Sequence, residues 1–200
     1  SSSVATTHTW AIPGNLTVSS GTLQVQFFNN VTGGVDGAQI TVGGNFVHTG
    51  GTTILTRSSP NDSSEDFARL DVEGNLTVSG GVLSMPNAEA DVFCAGNWDT
   101  CTVGVFDPTL GTVTLDRVGT ATCCATAFAN FTVSGSTYVY MLSATLFRGL
   151  LSLPSGSTLD SPLALDIDGS VSLGTTGNWI THGLTHTVAG NWTSSGGSIS

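Results

Sequence analysis

The sequence predicts an all-β chain folded as a parallel β-helix, or β-solenoid, with three short strands per coil and loop insertions. Three observations carry that expectation. Thr, Val, Ser and Gly dominate while helix formers are scarce, which is the vocabulary of short pleated strands separated by tight bends. A phrase of Gly or Ala, then Asn, then an apolar or aromatic residue, recurs seven times. Around its copies, apolar side chains alternate with polar ones over short runs broken by Gly.

The phrase first appears as Gly14-Asn15-Leu16-Thr17-Val18, then as Gly44-Asn45-Phe46-Val47, preceded by the alternating Ile40 and Val42. Its clearest copy lies at residues 70–85. Leu70 and Val72 alternate with Asp71 and Glu73, the chain bends at Gly74-Asn75, Leu76 and Val78 alternate with Thr77 and Ser79, and a second bend at Gly80-Gly81 leads to Leu83 and Met85. Three strands and two corners result, with each strand turning every second side chain to one side. The Gly and Asn corners are expected to adopt positive φ. Further copies are Gly96-Asn97-Trp98, Ala129-Asn130-Phe131-Thr132-Val133, Gly177-Asn178-Trp179 and Gly190-Asn191-Trp192-Thr193, with Leu165 and Ile167 before Gly169 and Val188 before Gly190.

The Asn-to-Asn steps are 30, 30, 22, 33, 48 and 13 residues. Steps of about 20 to 33 are those of solenoids, in which stacked copies bury what a single copy cannot. Tandem immunoglobulin-like sandwiches would need repeats of about 80 to 100 residues. Asn15, Asn45, Asn75, Asn97, Asn130, Asn178 and Asn191 are expected to stack as an internal amide ladder. One domain over 1–200 is expected, with insertions near 57–69, 87–128 and 136–153.

The 200 residues are 39% apolar with a mean hydropathy of +0.22, so the chain should bury a core. Only 9% are charged; there is no Lys, and fourteen acids against four Arg give a net charge of −10. That balance opposes nucleic acid and anionic membranes, both of which attract basic patches. No apolar run approaches the roughly 18 residues of a membrane span, so membrane insertion is not expected. Cys94, Cys101, Cys123 and Cys124 fall in one 31-residue window, which suggests two disulfides in an oxidising, extracellular compartment, with three pairings open. Zinc is the rival reading, weakened because the window holds neither a CxxC pair nor a His.

Leu70 to Met85, Gly111-Thr112-Val113-Thr114-Leu115, Gly156-Ser157-Thr158-Leu159-Asp160 and Thr187 through Gly197 resemble the repetitive regions of large bacterial surface and secreted proteins. These are similar to filamentous-haemagglutinin-type adhesins and autotransporter stalks. The resemblance covers most of the chain in style, implies secretion, rigidity and length, and carries no catalytic residue across.

Enzyme motifs do not appear: without Lys there is no P-loop, and GxGxxG, GxSxG and HExxH are missing. No enzyme and no obligate cofactor is expected. The carboxylate pairs Asp166/Asp168 and Asp71/Glu73 are what a polysaccharide-active β-helix enzyme would need, but outward, solvated positions beside Leu165-Ile167 and Leu70-Val72 account for them. His182 and His186 would share a face only on a helix. Calcium is the one candidate cofactor, at Asp62, Glu65 and Asp66 in a polar loop. Trp98, Trp179 and Trp192 stand where other copies have Leu or Phe, which assigns them to the core; an aromatic groove beside them would instead mark an adhesin for carbohydrate or a host surface. Of the six Asn-x-Ser/Thr sequons, Asn30 and Asn61 lie in loop-like surroundings. Neither end offers a cap. The expected role is therefore an extracellular stalk or filament subunit at the cell surface, either continued by a longer chain or self-associating head to tail through its solenoid ends.

Overall fold

The computed structural model describes residues 6–27, 36–57 and 67–200. It is all-β: every element is a strand, and no helix occurs among the described residues. Every strand pairing is parallel. Parallel neighbours cannot be joined by a hairpin, so the chain must travel elsewhere between them. It does so by visiting the sheets in rotation.

The first sheet has nine strands, in the order Thr6–Ile12, Asp36–Val42, Phe67–Val72, Ala90–Cys94, Thr112–Leu115, Asn130–Val133, Leu151–Leu153, Val171–Leu173 and Trp192–Ser194. The second follows the same sequence order: Leu16–Val18, Phe46–Arg57, Leu76–Ser84, Trp98–Asp99, Gly119–Cys124, Thr137–Met141, Thr158–Asp160, Asn178–Ile180 and Ser198–Ile199. Thr22–Phe27 and Val105–Asp107 join it by pairing with the far halves of Phe46–Arg57 and Leu76–Ser84. A third, four-stranded sheet holds Ala127–Phe128, Leu146–Phe147, Asp166–Ile167 and Thr187–Val188.

One inward column of the first sheet shows the period. Trp10, Ile40, Leu70, Val92, Val113, Phe131, Leu151, Val171 and Trp192 are successive register partners, giving passes of 30, 30, 22, 21, 18, 20, 20 and 21 residues. The irregular Asn spacing has a structural cause. Asn15, Asn45, Asn75 and Asn97 stand at the corner entering the second sheet, whereas Asn130 and Asn191 stand at the corner entering the first. Passes whose corner lacks Asn, such as those beginning at Thr112 and Leu151, escape a count of Asn. The stretches 87–128 and 136–153, expected as insertions, therefore run within the sheets: the first contains Ala90–Cys94, Trp98–Asp99, Val105–Asp107, Thr112–Leu115 and Gly119–Cys124, and the second contains Thr137–Met141, Leu146–Phe147 and Leu151–Leu153.

The glycine before each Asn does something other than reach positive φ. Positive φ belongs to the next corner, at Gly21, Gly51 and Gly81, and is not found at Gly44, Gly74 or Gly96. Gly74 donates its N–H to Gly44 O at 3.0 Å, and a Cβ on Gly74 would lie 2.6 Å from that same oxygen. Only a residue without a side chain lets two successive corners approach so closely.

The Asn that follows accepts a hydrogen bond from the backbone N–H one pass later. Asn45 N donates to Asn15 Oδ1, Asn75 N to Asn45 Oδ1 and Asn97 N to Asn75 Oδ1, each at 2.8 Å, and Thr122 N donates to Asn97 Oδ1 at 2.9 Å. At the other corner Leu150 N donates to Asn130 Oδ1 at 2.9 Å and Asn191 N to Ser170 Oγ at 3.0 Å. The ladder is thus a side-chain-to-backbone one on the outer corners, not an internal amide stack. Asn15, Asn75 and Asn191 are exposed, and Asn45, Asn97, Asn130 and Asn178 are partly so. Inside, apolar side chains make up the core, with His48 and Thr53 among the buried polar residues.

Burial follows the pleat. Phe67–Val72 alternates half-buried and buried residues, and so does Ala90–Cys94. The inward residues form a single cluster running from Val18 to Trp179. At its middle sits an aromatic chain: Trp98 packs on Phe106 at 5.1 Å, Phe106 on Phe128 at 5.8 Å, and Phe128 on Phe131 and Phe147 at 4.5 and 5.8 Å between ring centroids. On the outside, the Arg69 guanidinium lies 4.5 Å from the centre of the Phe67 ring and 4.7 Å from that of Phe93, and pairs with Asp91 at 3.4 Å.

Candidate functional site

Side chains of the second sheet that point away from the core carry most of the chemistry. Thr77, Asp99, Cys124 and Leu142 follow one another at a single register position, and Thr122 and Tyr140 follow Asn97 at the neighbouring one. A half-open groove of about 480 Å³ lies over this face, bordered by Thr77, Asn97, Asp99, Thr102, Thr122 and Leu142, with the Cys101–Cys124 bridge in its wall. The bridge joins Cα atoms 5.5 Å apart and ties the strand Gly119–Cys124 to the segment leaving Trp98–Asp99.

Two disulfides were the expectation, and one forms. Cys123 and Cys124 are neighbours on one strand, so the pleat sends them to opposite sides: Cys124 outward to Cys101, Cys123 into the core at 0% exposure. Cys94 is likewise buried, and both remain thiols. Its Sγ lies 3.5 Å from Gly74 O and 3.6 Å from Asn97 O. Burial pushes the Cys94 thiol up to about 11 and that of Cys123 well above its ordinary range, so neither forms the reactive thiolate at neutral pH.

A second polar cluster lies further along the same face. The Tyr138 hydroxyl donates to Asp160 Oδ2, and His182 Nε2 stands 2.6 Å from Asp160 Oδ1. His182 adopts φ 54°, the left-handed region, and is the one non-glycine residue to do so among the described residues. Its turn folds the imidazole back over the carboxylate. The hydrogen bond to Asp160 holds the Tyr138 phenol up at about 12, with burial and the carboxylate charge adding to the effect. Sequence reasoning missed this cluster, although Tyr138, Asp160 and His182 are each separated by 22 residues, close to one pass.

Other singled-out residues do not converge. His186 accepts from Leu165 N at 3.1 Å through Nδ1 and packs edge-on against Trp179 at 4.9 Å, while His182 engages Asp160, so the pair shares no ligand position. Asp166 is exposed and accepts from Thr187, Asp168 is exposed, Asp71 accepts from Gln39 Nε2 at 3.2 Å, and Glu73 is exposed. Outward positions hold all four. Mutual repulsion also shows there: burial raises the Asp116 carboxyl, and the nearby charges of Asp71 and Glu73 add to it. Trp98 and Trp179 are buried at 1% and 2% exposure, and Trp192, stacked on Trp179 at 6.0 Å, is 40% exposed. The calcium candidates Asp62, Glu65 and Asp66, and the sequons at Asn30 and Asn61, lie outside the described residues.

No protein family, curated protein or solved structure matches this chain.

Proposed function

We propose that this chain is a parallel β-helix of three strands per coil, serving as a rigid extracellular stalk or fibre segment at a cell surface rather than as an enzyme. The observation that carries the reading is the corner ladder, in which a glycine permits close approach and an Asn or Ser oxygen takes the next backbone N–H. Each repeat thus places its most regular residues where one coil meets the next. That is the arrangement of a protein whose product is length, since a coil contacting only its neighbours can be added without redesigning the rest. The partner is then a further coil of the same kind, supplied by a longer chain or by head-to-tail association.

The surface bridge Cys101–Cys124 supports an oxidising, extracellular setting. An adhesin reading asked for an aromatic groove beside the tryptophans; Trp98 borders the groove, yet both it and Trp179 are buried in the core, which weighs against that reading. Electron cryo-microscopy of the native material tests the proposal. Rods or fibres with an internal repeat of about 4.8 Å along their axis are expected; compact particles with no axial repeat would overturn it.

A further inference from the structure

Asp99, Cys101 and Cys124 bring one carboxylate oxygen and two sulfurs within 4.8 Å of one another on the outer face of the second sheet. In the bridged state the sulfurs satisfy each other, and a disulfide is no ligand for a borderline cation. The geometry points to a zinc site at these three residues that is exposed when the bridge is reduced. A dithiol supplies the two electrons and two protons: its thiolate attacks one sulfur, the mixed disulfide resolves to a cyclic disulfide of the reductant, and Cys101 and Cys124 leave as thiols. Zn²⁺ then displaces the two thiol protons and is held by two thiolates and the Asp99 carboxylate.

The fit follows from where the three residues stand. Asp99 and Cys124 are register partners on adjacent strands, which fixes their separation. Two thiolates on a tetrahedral zinc sit about 3.8 Å apart at zinc–sulfur distances of about 2.3 Å. Side-chain rotation reaches that spread from Cα atoms 5.5 Å apart. One oxygen of Asp99 accepts the Cys101 N–H at 3.2 Å, which orients the carboxylate and leaves its second oxygen for the metal. Cys101 is exposed and the other two are half-buried, so reductant and ion both have access. The adjoining groove, bordered by Thr77 and Thr122, leaves room for a water as fourth ligand. Either state, bridged or metallated, ties the same two segments together.

Co²⁺ is the probe, because its thiolate complexes absorb strongly in the near ultraviolet. The protein is reduced with a dithiol, freed of it by anaerobic gel filtration, and titrated alongside the bridged protein. The expected result is one Co²⁺ per reduced chain with a thiolate charge-transfer band that Zn²⁺ removes, no band in the bridged protein, and at least tenfold weaker binding in Asp99→Asn. The double variant Cys101→Ser with Cys124→Ser, which leaves the buried Cys94 and Cys123 in place, must lose the band. The proposal is overturned if the reduced protein, still β by circular dichroism, gives no band, if the double variant keeps it through Cys94 and Cys123, or if Asp99→Asn binds as tightly as the parent.

Discussion

At the scale of single residues, the repeated Gly-Asn pair divides two tasks that look alike in sequence. The glycine removes a Cβ that would strike the carbonyl of the preceding corner, and the Asn satisfies a backbone donor that has no strand partner at the bend. Gly74→Ala is therefore expected to destabilise the protein by about 1–3 kcal/mol through overpacking. Gly14→Ala, where a Cβ would meet nothing within 4 Å, should be close to neutral, and thermal unfolding of both variants checks the contrast. Asn75→Ala removes the acceptor of the Asn97 N–H and should cost about 0.5–1.5 kcal/mol, read in the same way. Tyr138 offers a spectroscopic prediction. Its folded value is raised above the ordinary phenol value, so the stability gained from its bond to Asp160 is full below about 10 and is lost as pH rises through about 12. Alkaline titration of phenolate absorbance should show one of the two tyrosines ionising near 12, and Asp160→Asn should lower that value.

At the scale of elements, pairing in register and alternation of burial explain both what the sequence disclosed and what it hid. The copy at 70–85 was legible because its strands alternate cleanly and both corners carry glycine. Thr112–Leu115 and Leu151–Leu153 were harder to place because Thr112 and Leu150 occupy the position held by Asn elsewhere, so a period counted on Asn turned whole passes into insertions. The corner role of Asn was assigned to the interior because spacing alone does not reveal which side of a bend a side chain takes. The cysteine pairing was open for a related reason: adjacent Cys123 and Cys124 are separated by the pleat, and that becomes decisive only once the strand is known. The cluster of Tyr138, Asp160 and His182 needed the pass length before its spacing meant anything. Where three sheets meet, Phe128 touches Trp98, Phe106, Phe131 and Phe147 at once. Phe128→Ala is expected to cost about 3–5 kcal/mol. Chemical denaturation should show that loss as a lowered midpoint.

At the scale of the whole molecule, the consequence of stacking is near-neighbour stability: each pass is held by the one before and the one after, and little else. A chain built this way resists tension applied across its passes and yields one pass at a time. Single-molecule force spectroscopy on the protein held by its two ends tests this most directly, with the Cys101–Cys124 bridge reduced so that it withholds no length. Successive resisted steps are expected to match the pass lengths, about 65–75 Å for passes of about 20 residues and about 100 Å for those of 30, at an extended reach of about 3.3–3.6 Å per residue. Extension without resistance, or steps that bear no relation to those lengths, would contradict it.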